Sequence, residues 1–278
     1  MVNFHTHSNF CDGKEEPRLY VESAIEKGFI ALGFSSHAPT PFKLDWTLSN
    51  EKLPFYFEEI KKLKEEYSGK IEIYLGLEFD FFKKAQYQSI YFNYKEMLDY
   101  NLASVHFLSD RKNEKFYIID GSIESYINAL NEVFKGDVKS FVKEYYNLIK
   151  EMILTYKPDI IAHIDLIKKN NKDAVFFKET EEWYREAILE TLDIVSKSSS
   201  ILEVNTGGIA RGSISDFYPS EWLFKECYRR NIPIIINSDA HDPGKIDALF
   251  TEAKKSLKRA GFSTQKILLK GKWIELEI

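Results

Sequence analysis

The sequence is poor in cysteine, glycine and proline: its 278 residues include 2 Cys, 13 Gly and 8 Pro. Two cysteines are too few for a disulfide-built scaffold, so Cys11 and Cys227 are expected as reduced thiols. The scarcity of Gly and Pro excludes collagen-like and low-complexity chains, and no linker, repeat or biased segment interrupts the pattern. No apolar run approaches the roughly 20 residues that span a bilayer. Residues 1–5 lack both the basic and the apolar stretch of a secretory leader. A cytoplasmic protein without a membrane partner is the expectation. Positive charge is also short, with Lys+Arg 38 against Asp+Glu 43, a net charge of -5 and a pI near 5.8. That balance argues against nucleic acid as a partner, although a local basic pocket is compatible with it.

What is present reads as an ordinary globular chain, 44% hydrophobic and 29% charged. The length suits one domain over residues 1–278, since single α/β barrels run to about 250 residues. Short apolar, β-branched runs alternate with longer amphipathic ones. Strands are expected at 2–4, 29–34, 71–77, 102–105, 159–162, 201–204 and 233–236. Helices are expected at 17–27, 50–69, 123–134, 138–156, 180–197, 220–230 and 245–260. Pro17 at a first turn and Gly28 just past an end frame the first helix. Residues 266–278 read as a hairpin turned at Lys270-Gly271-Lys272. Strands separated by helices imply βαβ units in a parallel sheet. About seven such units suggest an α/β barrel with one strand fewer than the eight-stranded form. An open doubly wound sheet is the alternative, disfavoured because polar residues end nearly every strand instead of one switch point.

The histidines carry the functional argument. His5, His7, His37, His106, His163 and His241 all fall at or just after the end of an expected strand, and none falls in a helix. In a parallel barrel those ends converge on one face. Carboxylates share the position: Glu78 and Asp239 end apolar strands, and Asp12 follows His7 closely. Buried carboxylates need partners, and clustered imidazoles and carboxylates are the ligands of a multinuclear transition-metal site. In His5-Thr6-His7 alternate side chains point the same way, so both imidazoles can reach one ion.

The order His5-x-His7, Asp12, His37, Glu78, His106, His163, Asp239-x-His241 resembles the polymerase and histidinol phosphatase (PHP) superfamily over about residues 3–245. Ser104-Val105-His106-Phe107, Ala162-His163-Ile164-Asp165, Glu203-Val204-Asn205-Thr206 and Ser238-Asp239-Ala240-His241 are similar to its histidinol-phosphatase branch. The resemblance implies a distorted seven-stranded barrel, resembling a TIM barrel, that holds two to three divalent ions, Zn, Mn or Fe. Carried over, His5, His7, Glu78 and Asp239 would hold the first ion. Glu78 would bridge to a second on His106 and His163. Asp12, which stands where some relatives have histidine, would hold the third with His37 and His241. It further implies hydrolysis of L-histidinol phosphate to L-histidinol and phosphate in histidine biosynthesis, with Arg211 as phosphate clamp.

Glu78, Asp239 and His241 are then the catalytic candidates, the last two as proton donors to the leaving alkoxide. Lys168, where relatives tend to carry Arg, and Asn205 are further candidate substrate contacts. Asp80, on the strand face of Glu78, is the candidate amine partner. Cys11 is expected only to pack, while Phe42, Trp46, Phe107 and Tyr218 lie in loops able to contact a ring. Other phosphate esters, of nucleotides, phosphotyrosine or nucleic-acid ends, stay open as substrates. A metal-dependent amidohydrolase is disfavoured because Glu78 takes the place of the bridging lysine, and the full ligand set speaks against a non-catalytic module.

Overall fold

Apolar strands buried on both faces pair in parallel only where helices cover them, and the alternation along this chain supplies both parts. The computed structural model describes residues 1–110 and 114–278. Its strands are β1 (Val2–Asn3), β2 (Ala31–Phe34), β3 (Glu72–Leu75), β4 (Glu78–Asp80), β5 (Leu102–Ser104), β6 (Phe107–Ser109), β7 (Phe116–Ile118), β8 (Ile160–Ile161), β9 (Ile201–Asn205), β10 (Ile234–Asn237), β11 (Thr264–Leu269) and β12 (Lys272–Glu277). The fold is mixed α/β. Its parallel strands form a three-stranded sheet, β1-β2-β3, and a five-stranded sheet, β10-β9-β8-β5-β4, with no single continuous sheet of seven. Parallel bridges Thr6↔Ala240 and His37↔Glu78 link the two.

The expected strand over 71–77 is broken at Gly76-Leu77, so β3 pairs with β2 and β4 pairs with β5. Crowding explains the break: a Cβ on Gly76 would lie 2.6 Å from Tyr100 Cζ and 3.0 Å from the Phe34 carbonyl oxygen. Tyr100 fills the space between the sheets, donating its hydroxyl to the carbonyls of Phe4 (2.8 Å) and Phe34 (3.1 Å).

Strand alternation separates an apolar half of the interior from a polar one. Phe4, Tyr100, Leu102, Ile160, Ile201 and Ile235 form one cluster, closed by Ile267 and Leu268 of the β11–β12 hairpin. Register partners share a face, so Glu78 lies beside Leu102, Asp80 beside Ser104 and Glu203 beside Ile235. Polar residues close β4, β5, β9 and β10 at Asp80, Ser104, Asn205 and Asn237. Leu32, Phe34, Ile73, Ala103, Ile161 and Leu202 point the other way, into the core shared with the helices.

The helices Ile123–Phe134 and Val138–Tyr156 have the expected bounds. Ser122 and Asp137 cap them by accepting from the Ser125 and Ser140 amides. The last helix begins at Phe250, not 245, because Leu249 takes a left-handed φ of 60° after a 3₁₀ turn over Pro243–Lys245. The antiparallel β6–β7 hairpin directly after His106 has no counterpart in the sequence reading. No helix among the described residues is long and apolar enough to cross a membrane.

Gly33 in β2 faces the same crowding: a Cβ there would lie 2.7 Å from Tyr100 Cζ and 2.8 Å from Phe4 Cδ1. Gly33→Ala is expected to destabilise the fold by about 1–3 kcal/mol through overpacking. Urea denaturation measures it, and an unchanged midpoint would show that Tyr100 yields without cost.

Candidate metal centre

Glu78 opens β4 and is 1% exposed. Its Oε1 lies 3.0 Å from His163 Nε2 and 3.7 Å from His106 Nε2. Its Oε2 lies 3.1 Å from His37 Nδ1, 3.2 Å from His5 Nε2 and 3.6 Å from His7 Nε2. The sixth histidine, His241, reaches Asp12 Oδ2 (3.1 Å) and Asp239 Oδ1 (3.5 Å). Asp239 also touches His7 Nε2 at 3.2 Å and His5 Nε2 at 3.6 Å. All nine residues expected as ligands therefore meet at one place. Asp239 does so from a left-handed backbone, φ 48°, a conformation that Asp tolerates better than most side chains.

A cluster of this kind has to settle its own charge. Burial alone pushes the Glu78 carboxyl up, but His37, His5 and His163 overturn that and hold it well below the usual range. Burial is likewise outweighed at Asp239, here by the Arg211 guanidinium together with His5 and His7. Burial lowers His7, and it lowers His37 to about 4, leaving both in the neutral form that ligates metal. His7 Nε2 and His37 Nδ1 are buried and make no hydrogen bond. Donor atoms within 4.8 Å of one another form four overlapping groups: His7, Asp12, His37 and His241; His5, Glu78 and His163; His5, His7 and Asp239; His37, Glu78 and His106. Unspent imidazole nitrogens facing carboxylates at this spacing fit divalent transition-metal ions.

A second set of carboxylates orients these rings. Glu203 Oε1 lies 2.7 Å from His5 Nδ1, and Asp80 Oδ1 lies 2.9 Å from His106 Nδ1. Asp80, with Asp120 and Glu78, raises His106 to about 10 against the opposing effect of burial. Asp80 is thus committed to a histidine and does not border the cavity, contrary to its expected place at a substrate amine. Asn205 is committed too: its amide nitrogen donates to Glu203 (2.9 Å) and Asp239 (3.3 Å), and its oxygen accepts from the Gly207 amide.

The cluster forms one wall of a cavity of about 460 Å³. Arg211 lines it, donating to the Asp239 carbonyl (2.6 Å) and to Asp239 Oδ2 (2.8 Å). Lys168 does not line it. Its ammonium is buried against Asp165 Oδ2 (2.8 Å), the Phe217 carbonyl (2.6 Å) and the Ser220 hydroxyl. The adjacent Lys169 borders the cavity instead, paired at 3.2 Å with Asp120. Trp46 is the aromatic wall, edge-on to His37 at 4.7 Å and stacked on Phe107 at 5.8 Å, while Phe42 packs behind on Phe116. Tyr218 also lines the cavity. Cys11 Sγ lies 3.5 Å from His7 Nδ1, and burial with Asp12 pushes its thiol up to about 12.

Three residues at the cluster or its cavity, Glu203, Asp120 and Lys169, were not among the expected site residues. Glu203 was signalled by a lone charge inside the apolar run 201–204. Asp120 and Lys169 carried no signal, because they are placed by the β7 end and by the turn after His163.

Comparison with known proteins adds independent findings. The PHP domain family matches residues 3–207. A curated histidinol-phosphatase of Bacillus subtilis is 29% identical over 258 residues, covering 87% of this chain and 94% of that one. Among solved structures, a chain from Listeria monocytogenes superposes with TM-score 0.79 at 24% identity, covering 91% of this chain and 99% of its own. A histidinol phosphate phosphatase of Lactococcus lactis, solved with zinc, L-histidinol and phosphate, gives TM-score 0.73 at 22% identity and 98% coverage of both.

Carboxylates that orient ligating imidazoles typically contribute 10–100-fold to metal affinity. Glu203→Gln is expected to weaken retention of divalent metal by about that factor, read by equilibrium dialysis and elemental analysis. Unchanged affinity would show that His5 is oriented without it.

Proposed function

The chain belongs to the PHP domain family, and from that membership we propose that it hydrolyses L-histidinol phosphate to L-histidinol and phosphate, as a cytoplasmic enzyme of histidine biosynthesis. It is a phosphoric monoester hydrolase. The observation that carries the reaction class is the convergence of six histidines and three carboxylates in one cluster, seven of which border one cavity. The histidinol-phosphatase relatives support the substrate.

Two to three ions, Zn, Mn or Fe, belong to this reading. His5, His7, Asp239 and Glu78 would hold one, Glu78 with His106 and His163 a second, and Asp12, His37 and His241 a third. When bound, they would supply positive charge to the phosphate and an attacking water whose pKa falls to about 7. The chain's own residues supply the rest. Arg211 is poised to hold a phosphate oxygen through the transition state. His241, raised by Asp12 and Asp239 against burial and the more exposed of the two, is the proton donor to the leaving oxygen, while Asp239, held ionised, orients it.

A substrate carrying a phosphate, an ammonium and an imidazole needs three kinds of surface. Asp120 is the carboxylate bordering the cavity outside the ligand set, so it takes the ammonium in place of Asp80. Trp46 offers the flat apolar wall for the ring.

The proposal extends to architecture. The two sheets are read as arcs of one distorted seven-stranded barrel: β1, β2, the broken β3–β4, β5, β8, β9 and β10. The bridge Thr6↔Ala240, which joins the β1 side to the β10 side, supports closure. One domain over residues 1–278 is supported by Asp239 and His241, which complete the cluster from beyond the family match at 207.

The test is a panel of phosphate monoesters assayed with metal-reconstituted protein, with L-histidinol phosphate expected as the preferred substrate and chelation expected to abolish turnover. No preference for it would sink the substrate assignment. Arg211→Ala is expected to lower kcat/KM on every ester by about 1.5–3 kcal/mol, the worth of a hydrogen bond to a charged group. Asp120→Asn should lower it for L-histidinol phosphate while sparing p-nitrophenyl phosphate, which has no amine. An equal loss on both would remove Asp120 from the amine site.

A further inference from the structure

Tyr218 follows the loop after β9 and borders the metal-lined cavity. Its backbone is tied to Asn205 in both directions, Tyr218 amide to Asn205 carbonyl at 3.1 Å and the reverse at 2.7 Å. The ring stands nearly perpendicular to His163, with centroids 6.3 Å apart, and Lys168 Nζ lies 5.2 Å from its centroid. Gly208 closes a third side, where a Cβ would lie 2.6 Å from Tyr218 Cε2. The ring therefore has little freedom to turn. Its hydroxyl nevertheless has no hydrogen-bond partner, on a residue 1% exposed.

An unpaired hydroxyl in a protein interior is costly, and most buried tyrosines in this chain avoid it. Tyr56, Tyr91, Tyr100 and Tyr146 all donate to a carbonyl or to another hydroxyl. Tyr20 and Tyr126 share the unpaired state, but neither borders the cavity. Position is what sets Tyr218 apart. It shares the cavity wall with Arg211, on the same loop, and with the ligand cluster through His163.

We propose that the Tyr218 hydroxyl is a substrate contact, donating a hydrogen bond to a non-bridging oxygen of the phosphate held beside Arg211. The inference rests on the phosphatase reading but not on which monoester is the substrate. Burial, with Asp165 and Asp120, keeps the phenol protonated, so it meets an anion as a donor. Arg211 spends part of its donor set on Asp239, so a second donor on this wall adds to its hold on the anion.

Tyr218→Phe removes the O–H and little else. The metal-loaded variant is compared with wild type on L-histidinol phosphate and p-nitrophenyl phosphate, with inorganic phosphate as competitive inhibitor. The expected result is a fall in kcat/KM of roughly 10–100-fold on both esters, with a matching rise in the phosphate inhibition constant. Metal content and urea midpoint should stay level, or the midpoint should rise because the unpaired hydroxyl is gone. Unchanged phosphate inhibition would overturn the proposal, as would a loss confined to L-histidinol phosphate, which would move the contact to the leaving group. A fall in metal content or midpoint that accounts for the lost activity would also overturn it. Wild-type indifference to L-histidinol phosphate would defeat only the substrate reading, since the phosphate inhibition constant still decides Tyr218.

Discussion

A carboxylate buried among five imidazoles is the constraint on which this structure turns. An isolated charge at the position of Glu78 would be prohibitively costly, so its partners must arrive together. They come from the ends of β1, β2, β5 and β8, far apart in sequence. A slip of one residue in any strand would turn its side chains to the opposite face and leave Glu78 short of a partner. The bridge His37↔Glu78 and the Ala38 amide donating to the Glu78 carbonyl at 2.8 Å hold that register where β3 and β4 break apart.

Around this centre the interior is graded. Leu102, Ile160 and Ile235 fill the end closed by the β11–β12 hairpin, and the same faces turn polar at Glu78, Asp80 and Glu203. His5 and His106 each present one ring nitrogen to Glu78 and the other to an outer carboxylate, Glu203 or Asp80. That pairing sets the ring orientation before any ion arrives. Asp239 sits in both layers, facing His5 and His7 on one side and Arg211 on the other. The loop carrying Arg211 and Tyr218 is therefore mechanically continuous with the ligand cluster.

The clustering of the six histidines with Asp12, Glu78 and Asp239 was legible because strand ends in a parallel α/β chain share one face, so linear positions translate directly into proximity. Helices 123–134 and 138–156 were legible through their periodicity and the break at Gly136. The residues that border the cavity around the cluster were not. Asp80 was placed on the correct strand face, but sequence could not show that His106 crosses back to take its carboxylate. Lys168 and Lys169 differ only in their position around a 3₁₀ turn over Leu166–Lys168, which turns one ammonium to Asp165 and the other to the cavity. Asp120 depends on two three-residue strands, too short to leave a readable period.

The seam at Thr6↔Ala240 joins segments made far apart in the order of synthesis. The His7 amide donates to the Ala240 carbonyl at 2.9 Å, the Ala240 amide to the His5 carbonyl at 3.1 Å, and Asn3 reaches Ser238 at 2.8 Å. On a ribosome adding about 5–20 residues per second, His7 therefore waits on the order of 10–50 s for Asp239 to be made. Throughout that interval the His-x-His pair has imidazoles but no completed shell. An ion captured then would be held by a fraction of its final donors and would exchange readily. The donor set is thus complete only once the seam has closed.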